Sequence, residues 1–334
     1  MALIDVEHVT KTFSRAVRRE GRFGALKTLF ARDFRAVHAV EDVSFSIAAG
    51  AMVGYIGPNG AGKSTTMKML TGILVPSGGR IVVDGRVPHR QRVDHVRNIG
   101  VVFGQRTQLW WDLPTVESLE LLRHIYRIPP DRFRQNVAQF TALLDLGPFL
   151  ATPVRQLSLG QRMRADLAAA LLHDPAILFL DEPTIGLDVV AKERIREFLA
   201  EINRERGVTV LLTTHDLADI TRLCPRVVLI DHGRVIYDGA LEALRARYGR
   251  WRTLVVDMAD GDGQSMLAIT HAVVQRREGP RVWLRFDREA TTAAALIADV
   301  AARYPVRDLT VEEPDIEAII RGIYEQGTVT AALA

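Results

Sequence analysis

The sequence predicts an α/β protein built on a parallel sheet, followed by a small α+β domain. Three observations predict it. An apolar strand runs into the glycine-rich stretch GPNGAGKST and then into helical periodicity. From Ile177 onward, strand and helix patterns alternate. Near Ala240 the character changes to shorter strands of mixed polarity.

A chain of 334 residues, 48% apolar and 25% charged, is globular and long enough for two domains. No apolar run approaches the roughly 18 residues that span a bilayer, and MALIDVEHVT lacks the regions of a signal peptide, so a soluble, cytosolic protein is expected. The one cysteine, Cys224, excludes a disulfide framework and a cysteine zinc site and reads as a small buried hydrophobe. A net charge of +3 is too small to argue for nucleic acid. The charge is uneven, however. Ser14 to Val37 carry seven basic residues against two acids, a net of +5.

The elements follow in order. Leu3 to Val9, Val43 to Ile47 and Met52 to Ile56 read as strands. The basic insert 14–37 interrupts them with no long strand pattern. Lys63 to Thr71 is helical, and Arg80 to Val83 and Ile99 to Phe103 are strands. Thr115 to Leu144 has helical spacing broken at IPP and belongs to a helical region of about 106–172. Strands and helices then alternate through AILFLDEP, AKERIREFLAEINRE, VTVLLTTHD and RVVLID. In the second domain, 240–334, strands at TLVVDM, RVWLRF and VRDLTVEE accompany helices at TTAAALIADVAARY and DIEAIIRGIYE.

The chemistry centres on Gly57, Pro58, Asn59, Gly60, Ala61, Gly62, Lys63, Ser64 and Thr65. Glycines let the backbone wrap phosphates with its N–H groups inward, Lys63 reaches the β and γ oxygens, and Ser64 ligates Mg²⁺. Lysine is scarce, with 5 among 43 basic residues, so its presence at this position is hard to dismiss as background. Asp181 emerges from the apolar strand ILFLD, where it can hold Mg²⁺ through its water shell. The next residue, Glu182, is placed to polarise an attacking water. Gln105 and His215 also end apolar strands, and His215 can bond the γ-phosphate and keep Glu182 in register. LSLGQRMRAD reads as a loop, an N-cap Ser158 and a helix start, whose free N–H groups at Ser158 and Gly160 make an anion site.

The phosphate loop, Gln105, LSLGQ, LFLDEP, IGLD and His215 together resemble, in order and spacing, the ATP-binding cassette (ABC) ATPases over about Leu3 to Asp238. The resemblance implies a P-loop NTPase cassette: a RecA-like parallel core with antiparallel β and helical subdomains, occupying 1–239. It implies ATP and Mg²⁺ as ligands and Gln105 as a further metal contact. It also implies a head-to-tail dimer, in which Ser158, Gly160 and Gln161 of one cassette close over the γ-phosphate held by the other. Phe13 matches the residue that stacks on adenine, and Asp188 the aspartate linking the two sites. Three positions depart from the family pattern: Leu159 replaces a glycine, Ile185 a small residue, and Gly104 a proline or aromatic.

For function, the resemblance points to the ATPase subunit of a transporter, driving substrate export, of a drug or other small molecule, through a separate integral membrane permease. The cassette would pair with a second copy of itself or a homologous cassette, at the cytoplasmic face of the inner membrane and without nucleic acid. The alternative is a soluble ABC-type ATPase of DNA repair or translation. Only 95 residues separate Lys63 from Ser158, which leaves no room for long coiled-coil arms. A phosphate-loop metabolic kinase would leave LSLGQ and IGLD unexplained. The stretch GQRTQLWWDLPTVESLELL and the C-terminal domain resemble multidrug and viologen-type exporters. Trp110 and Trp111 are either core or exposed anchors for a permease helix. The insert is either a solvated loop or a docking segment for an anionic membrane or permease surface.

Overall fold

The structure, a computed structural model, describes residues 2–16, 34–104, 106–249, 251–259, 269–313 and 316–332. The chain forms two compact units, Met1–Gly239 and Ala240–Ala334.

The first unit is organised by a six-stranded sheet of order β5-β6-β7-β3-β8-β9. Its strands are β3 (Met52–Ile56), β5 (Ile99–Phe103), β6 (Ile177–Asp181), β7 (Thr209–Thr213), β8 (Arg226–Asp231) and β9 (Arg234–Ala240). Pairs β5/β6, β6/β7, β7/β3 and β3/β8 are parallel. Ile177, Leu178, Phe179 and Leu180 are all buried, as a strand covered on both faces requires. Parallel pairing brings the carboxyl ends of β3, β6 and β7 to one edge, where ligands bind in such sheets. A three-stranded antiparallel sheet, β2-β1-β4, is made of β1 (Ala2–Ala16), β2 (Phe34–Ala48) and β4 (Gly78–Val83).

Helix α1 (Lys63–Leu70) follows the phosphate loop, and the short α2 (Arg92–Val96) precedes β5. The helical region contains α3 (Thr115–Tyr126), α4 (Pro130–Leu144) and α5 (Leu159–Leu171). The break at IPP has a local cause. Arg127 ends α3 in the left-handed region at φ 55°, Pro129 cannot continue a helix, and Pro130 begins α4 where a missing N–H costs nothing. Helices α6 (Val189–Arg206) and α7 (Leu217–Leu223) complete the unit.

The second unit holds α8 (Leu241–Tyr248) and an antiparallel sheet of order β11-β12-β10-β13: β10 (Trp251–Met258), β11 (Ala272–Glu278), β12 (Arg281–Asp287) and β13 (Val306–Glu312). Leu254, Val256, Leu284 and Phe286 form its core with Leu296 and Val300 of α9 (Ala293–Arg303), and α10 (Ile316–Ala332) follows.

Two expectations are corrected. The ends of the basic insert are strand, because β1 and β2 pair as far as Ser14 with Ala36 and Ala16 with Phe34. This ribbon is held by its backbone ladder; Phe13 and Val37, facing each other across it, are both exposed, so no alternating apolar pattern announced it. Residues 17–33 of the insert lie outside the described residues. The second correction is β11, whose run of Gln275, Arg276, Arg277 and Glu278 concealed an edge strand.

Candidate nucleotide site

The phosphate loop leaves β3 and wraps back before α1. Gly62, the helix N-cap, has φ 104°, and a Cβ there would stand 2.5 Å from the carbonyl of Ala39, so only glycine closes the loop against β2. Lys63 is buried, and its Nζ donates to the carbonyls of Gly57 at 2.6 Å and Pro58 at 3.1 Å. Burial lowers its pKa, opposed by the carboxylates of Glu182 and Asp181. Above the loop opens a cavity of about 630 Å³, within the range of small-ligand pockets. Ala39, Asn59, Gly60, Gly62, Lys63, Ser64, Thr65, Glu182, Ile185 and His215 line it.

The sheet brings the acids to this loop. Ser64 Oγ donates to Asp181 Oδ1 at 3.4 Å, and Thr213 Oγ1, from the neighbouring strand, donates to the same oxygen at 2.5 Å. Hydroxyl and carboxylate oxygens are hard donors of the kind Mg²⁺ takes, so the residues present fit that ion. Among the described residues no group of three or more His, Cys, Asp or Glu could hold a metal by itself.

Glu182 sits in the left-handed region at φ 56°, uncommon for a residue with a side chain. Its amide donates to the carbonyl of Thr213 at 3.0 Å, and its Oε2 lies 2.6 Å from Nδ1 of His215. Glu182 is mostly shielded and His215 largely exposed. Gly104 explains one departure from the family pattern. A Cβ there would come within 2.1 Å of the Glu182 carbonyl oxygen, so the two strand ends as arranged in this chain leave no room for a side chain at that position.

Ser158 is the N-cap of α5 in a reciprocal box with Gln161. Its Oγ accepts from the Gln161 amide at 3.2 Å, and its own amide donates to Gln161 Oε1 at 2.9 Å. The Ser158 N–H, expected free, is therefore already taken. The orphan amides of this helix end are those of Leu159 and Gly160, which have no partner among the described residues. None of Ser158, Gly160 or Gln161 is in the described lining of the loop cavity. Leu159 packs towards the 186–191 segment, its Cδ2 lying 3.0 Å from where a Cβ on Gly186 would be. In that segment Asp188 caps α6, accepting from the Ala191 amide at 2.8 Å.

Phe13 lies on β1 with the Lys11 ammonium 5.2 Å from its ring centroid, and it is outside the described cavity lining. Gln105 lies outside the described residues. Trp110 and Trp111 are 39% and 50% exposed, which rules out the core reading, and Arg162 of α5 covers the Trp111 ring at 5.6 Å. Sequence reasoning missed Thr213 and Ala39. The hydroxyl at the end of VTVLLTTH was the visible signal for Thr213; Ala39 had none.

The model of the ABC transporter family matches residues 40–185. The chain is 35% identical over 225 residues to a fluoroquinolones export ATP-binding protein of Mycobacterium tuberculosis, covering 67% of this chain and 73% of that protein. The chain belongs to the ABC transporter family. The cassette is also 29% identical over 307 residues to the methionine import ATP-binding protein MetN of Latilactobacillus sakei, covering 88% of this chain and 87% of that one. Its fold matches the dimeric post-hydrolysis structure of the ATP-binding cassette MJ0796 bound to ADP and Pi, with TM-score 0.59, 27% identity, and coverage of 71% of this chain and 98% of that one. The cassette is thus the ATP-binding subunit of an ABC transporter, and an ATPase. Among the described residues no helix is long and apolar enough to cross a membrane.

Proposed function

We propose that the cassette binds ATP with Mg²⁺ in the loop cavity and hydrolyses it in a head-to-tail dimer, driving export through a separate permease. One observation carries this reading. Lys63, Ser64, Glu182 and His215 line one cavity, whereas the Ser158 helix end, with two amides free to meet an anion, is absent from its described lining. A second chain supplies what the cavity lacks, with Ser158 and Gly160 of each copy closing over the γ-phosphate held by the other.

Within the site, Lys63 exchanges two loop carbonyls for the β and γ oxygens. Ser64 and Asp181 would hold Mg²⁺, with Gln105 as a further contact and Thr213 fixing the Asp181 carboxylate. Bound there, the ion would supply charge neutralisation on the phosphates. Glu182 orients the attacking water and takes its proton, while His215 holds Glu182 and contacts the γ-phosphate. Phe13 stacks on adenine and Asp188 joins the two sites of the dimer. Residues 1–239 form the cassette domain, and residues 240–334 a domain of their own. The exposed pair Trp110 and Trp111 supports docking on a permease, which holds the cassette at the cytoplasmic face of the membrane. Export rests on the fluoroquinolones relative and on the exporter-like stretch around this pair.

Ser158→Arg tests the arrangement. Hydrolysis should collapse while ATP affinity of the single chain is retained, because the damaged motif serves the other copy. A large loss of ATP affinity would place the motif in its own chain's site and overturn the head-to-tail reading.

A further inference from the structure

Between the segments carrying Glu182 and His215 lies a carboxylate that this chemistry does not use. Asp219, on α7, is 0% exposed. Its Oδ2 accepts from Thr184 Oγ1 at 2.5 Å and from Thr214 Oγ1 at 3.4 Å, and its Oδ1 accepts from Arg196 Nε at 2.6 Å. Thr184 is two residues after Glu182; Thr214 immediately precedes His215. A single oxygen therefore ties together the two segments whose side chains meet at 2.6 Å. Thr214 is held from a second side, because its Oγ1 also accepts from the Asp216 amide at 2.9 Å.

A buried carboxylate is tolerated only when paired and hydrogen-bonded, and Arg196 supplies the opposite charge. That guanidinium also meets Glu193 at 3.2 Å and Asp216 at 3.7 Å, and Asp216 is itself paired with Lys192. The arrangement joins α6, α7 and the ends of two strands into one fixed body. Its need is local. Glu182 occupies a left-handed backbone conformation, which persists only where the surroundings over-determine it. The Asp219 bond to Thr184, two residues on, is a restraint of that kind.

We propose that Asp219 is a positioning residue for hydrolysis, holding the Glu182 turn and the His215 segment at their working separation through Thr184 and Thr214. The proposal rests on Glu182 being the general base, and its test separates the two ideas. Thr184→Val in the full chain keeps shape and removes the hydroxyl, while Thr184→Ser keeps the hydroxyl. The valine variant should lose about tenfold or more in kcat, the scale of a small misplacement of a catalytic group, with KM and ATP affinity within about twofold of wild type. The serine variant should hydrolyse at close to the wild-type rate. Introduced into a Glu182→Gln chain, Thr184→Val should cause no further loss of residual hydrolysis, since it acts through the group already removed. Asp219→Asn should show the same kcat-selective loss at a temperature where circular dichroism reports it folded. Wild-type kcat in Thr184→Val overturns the proposal, as does equal loss in Thr184→Ser or a loss confined to ATP affinity. Wild-type turnover in Glu182→Gln alone would instead remove the base assignment.

Discussion

Nδ1 of His215 stands 2.6 Å from Oε2 of Glu182, each just beyond the end of one of two neighbouring parallel strands. A carboxylate held in this way has one oxygen committed and the other left for water. Glu182→Gln keeps the size and the contact but cannot take a proton. It should bind ATP yet hydrolyse it at least about 100-fold more slowly, the order expected for loss of a general base. With ATP it should also elute as a dimer in size-exclusion chromatography. Unchanged turnover would mean that another group takes the proton.

Gly104 offers a test of the backbone beneath that carboxylate. In Gly104→Ala the new methyl meets the Glu182 carbonyl oxygen at 2.1 Å, and the turn must shift. The expected loss is about 1–3 kcal/mol of stability, as for other overpacked sites, together with a fall in kcat that exceeds any fall in ATP affinity. Thermal unfolding and steady-state hydrolysis would read the two effects separately.

A pH dependence follows from two buried groups with opposite signs. Asp166 accepts from Thr107 Oγ1 at 2.8 Å and from the Gln108 amide at 3.1 Å, and burial pushes its carboxyl up to about 6. Between the unfolded value of 3.8 and about 6 the folded chain holds a proton that the unfolded chain has lost. Stability from this group therefore falls as pH rises through that window. His173, stacked on Tyr126 with Nε2 bonded to the Ile99 carbonyl, is pushed by burial down to about 4 from 6.5. Its stability contribution rises with pH over 4 to 6.5. The two slopes oppose each other in wild type. Asp166→Asn removes the first, so its unfolding free energy should climb more steeply between pH 4 and 6 than that of wild type. At pH 7 it should equal or exceed wild type, by about 3 kcal/mol at most. Parallel curves for the two proteins would refute the assignment.

The basic insert calls for a binding measurement. Exchanging residues 17–33 for a short glycine-serine link leaves the described hairpin of β1 and β2 in place, so ATP binding should be unchanged. Co-sedimentation with anionic-lipid vesicles should weaken, by an amount that shrinks as salt is raised. Equal co-sedimentation of both proteins at low salt would return the insert to a solvated loop.

How much of this was legible in the sequence depended on how local the cause was. The loop from Gly57 to Thr65 and the strand ending in Asp181 and Glu182 are continuous in the chain, and their residue types follow from what they bind and from burial on both faces. Ser158 as N-cap was readable for the same reason, and Gln161 three residues on completes its box. Asp219 was not readable. Its partners Thr184, Thr214 and Arg196 lie up to 35 residues away, and only the packing of α6 and α7 beside the sheet edge joins them. Nor was the reason for Gly104, which depends on the Glu182 carbonyl just past the end of the adjacent strand. The outer end of the hairpin escaped because Phe13 and Val37, paired across it, are both exposed and no alternating apolar pattern marks it.

The reciprocal bonds of Ser158 and Gln161 have a consequence for turnover. The helix end is fully formed in a lone chain, and the serine hydroxyl, accepting with its oxygen, still has its proton to give. In the proposed head-to-tail dimer a neighbour's phosphate would meet this end without first folding anything, and the Ser158–Gln161 bonds would outlast its departure. On that proposal each round of binding and release would leave the helix end as it began, capped by its own serine and glutamine.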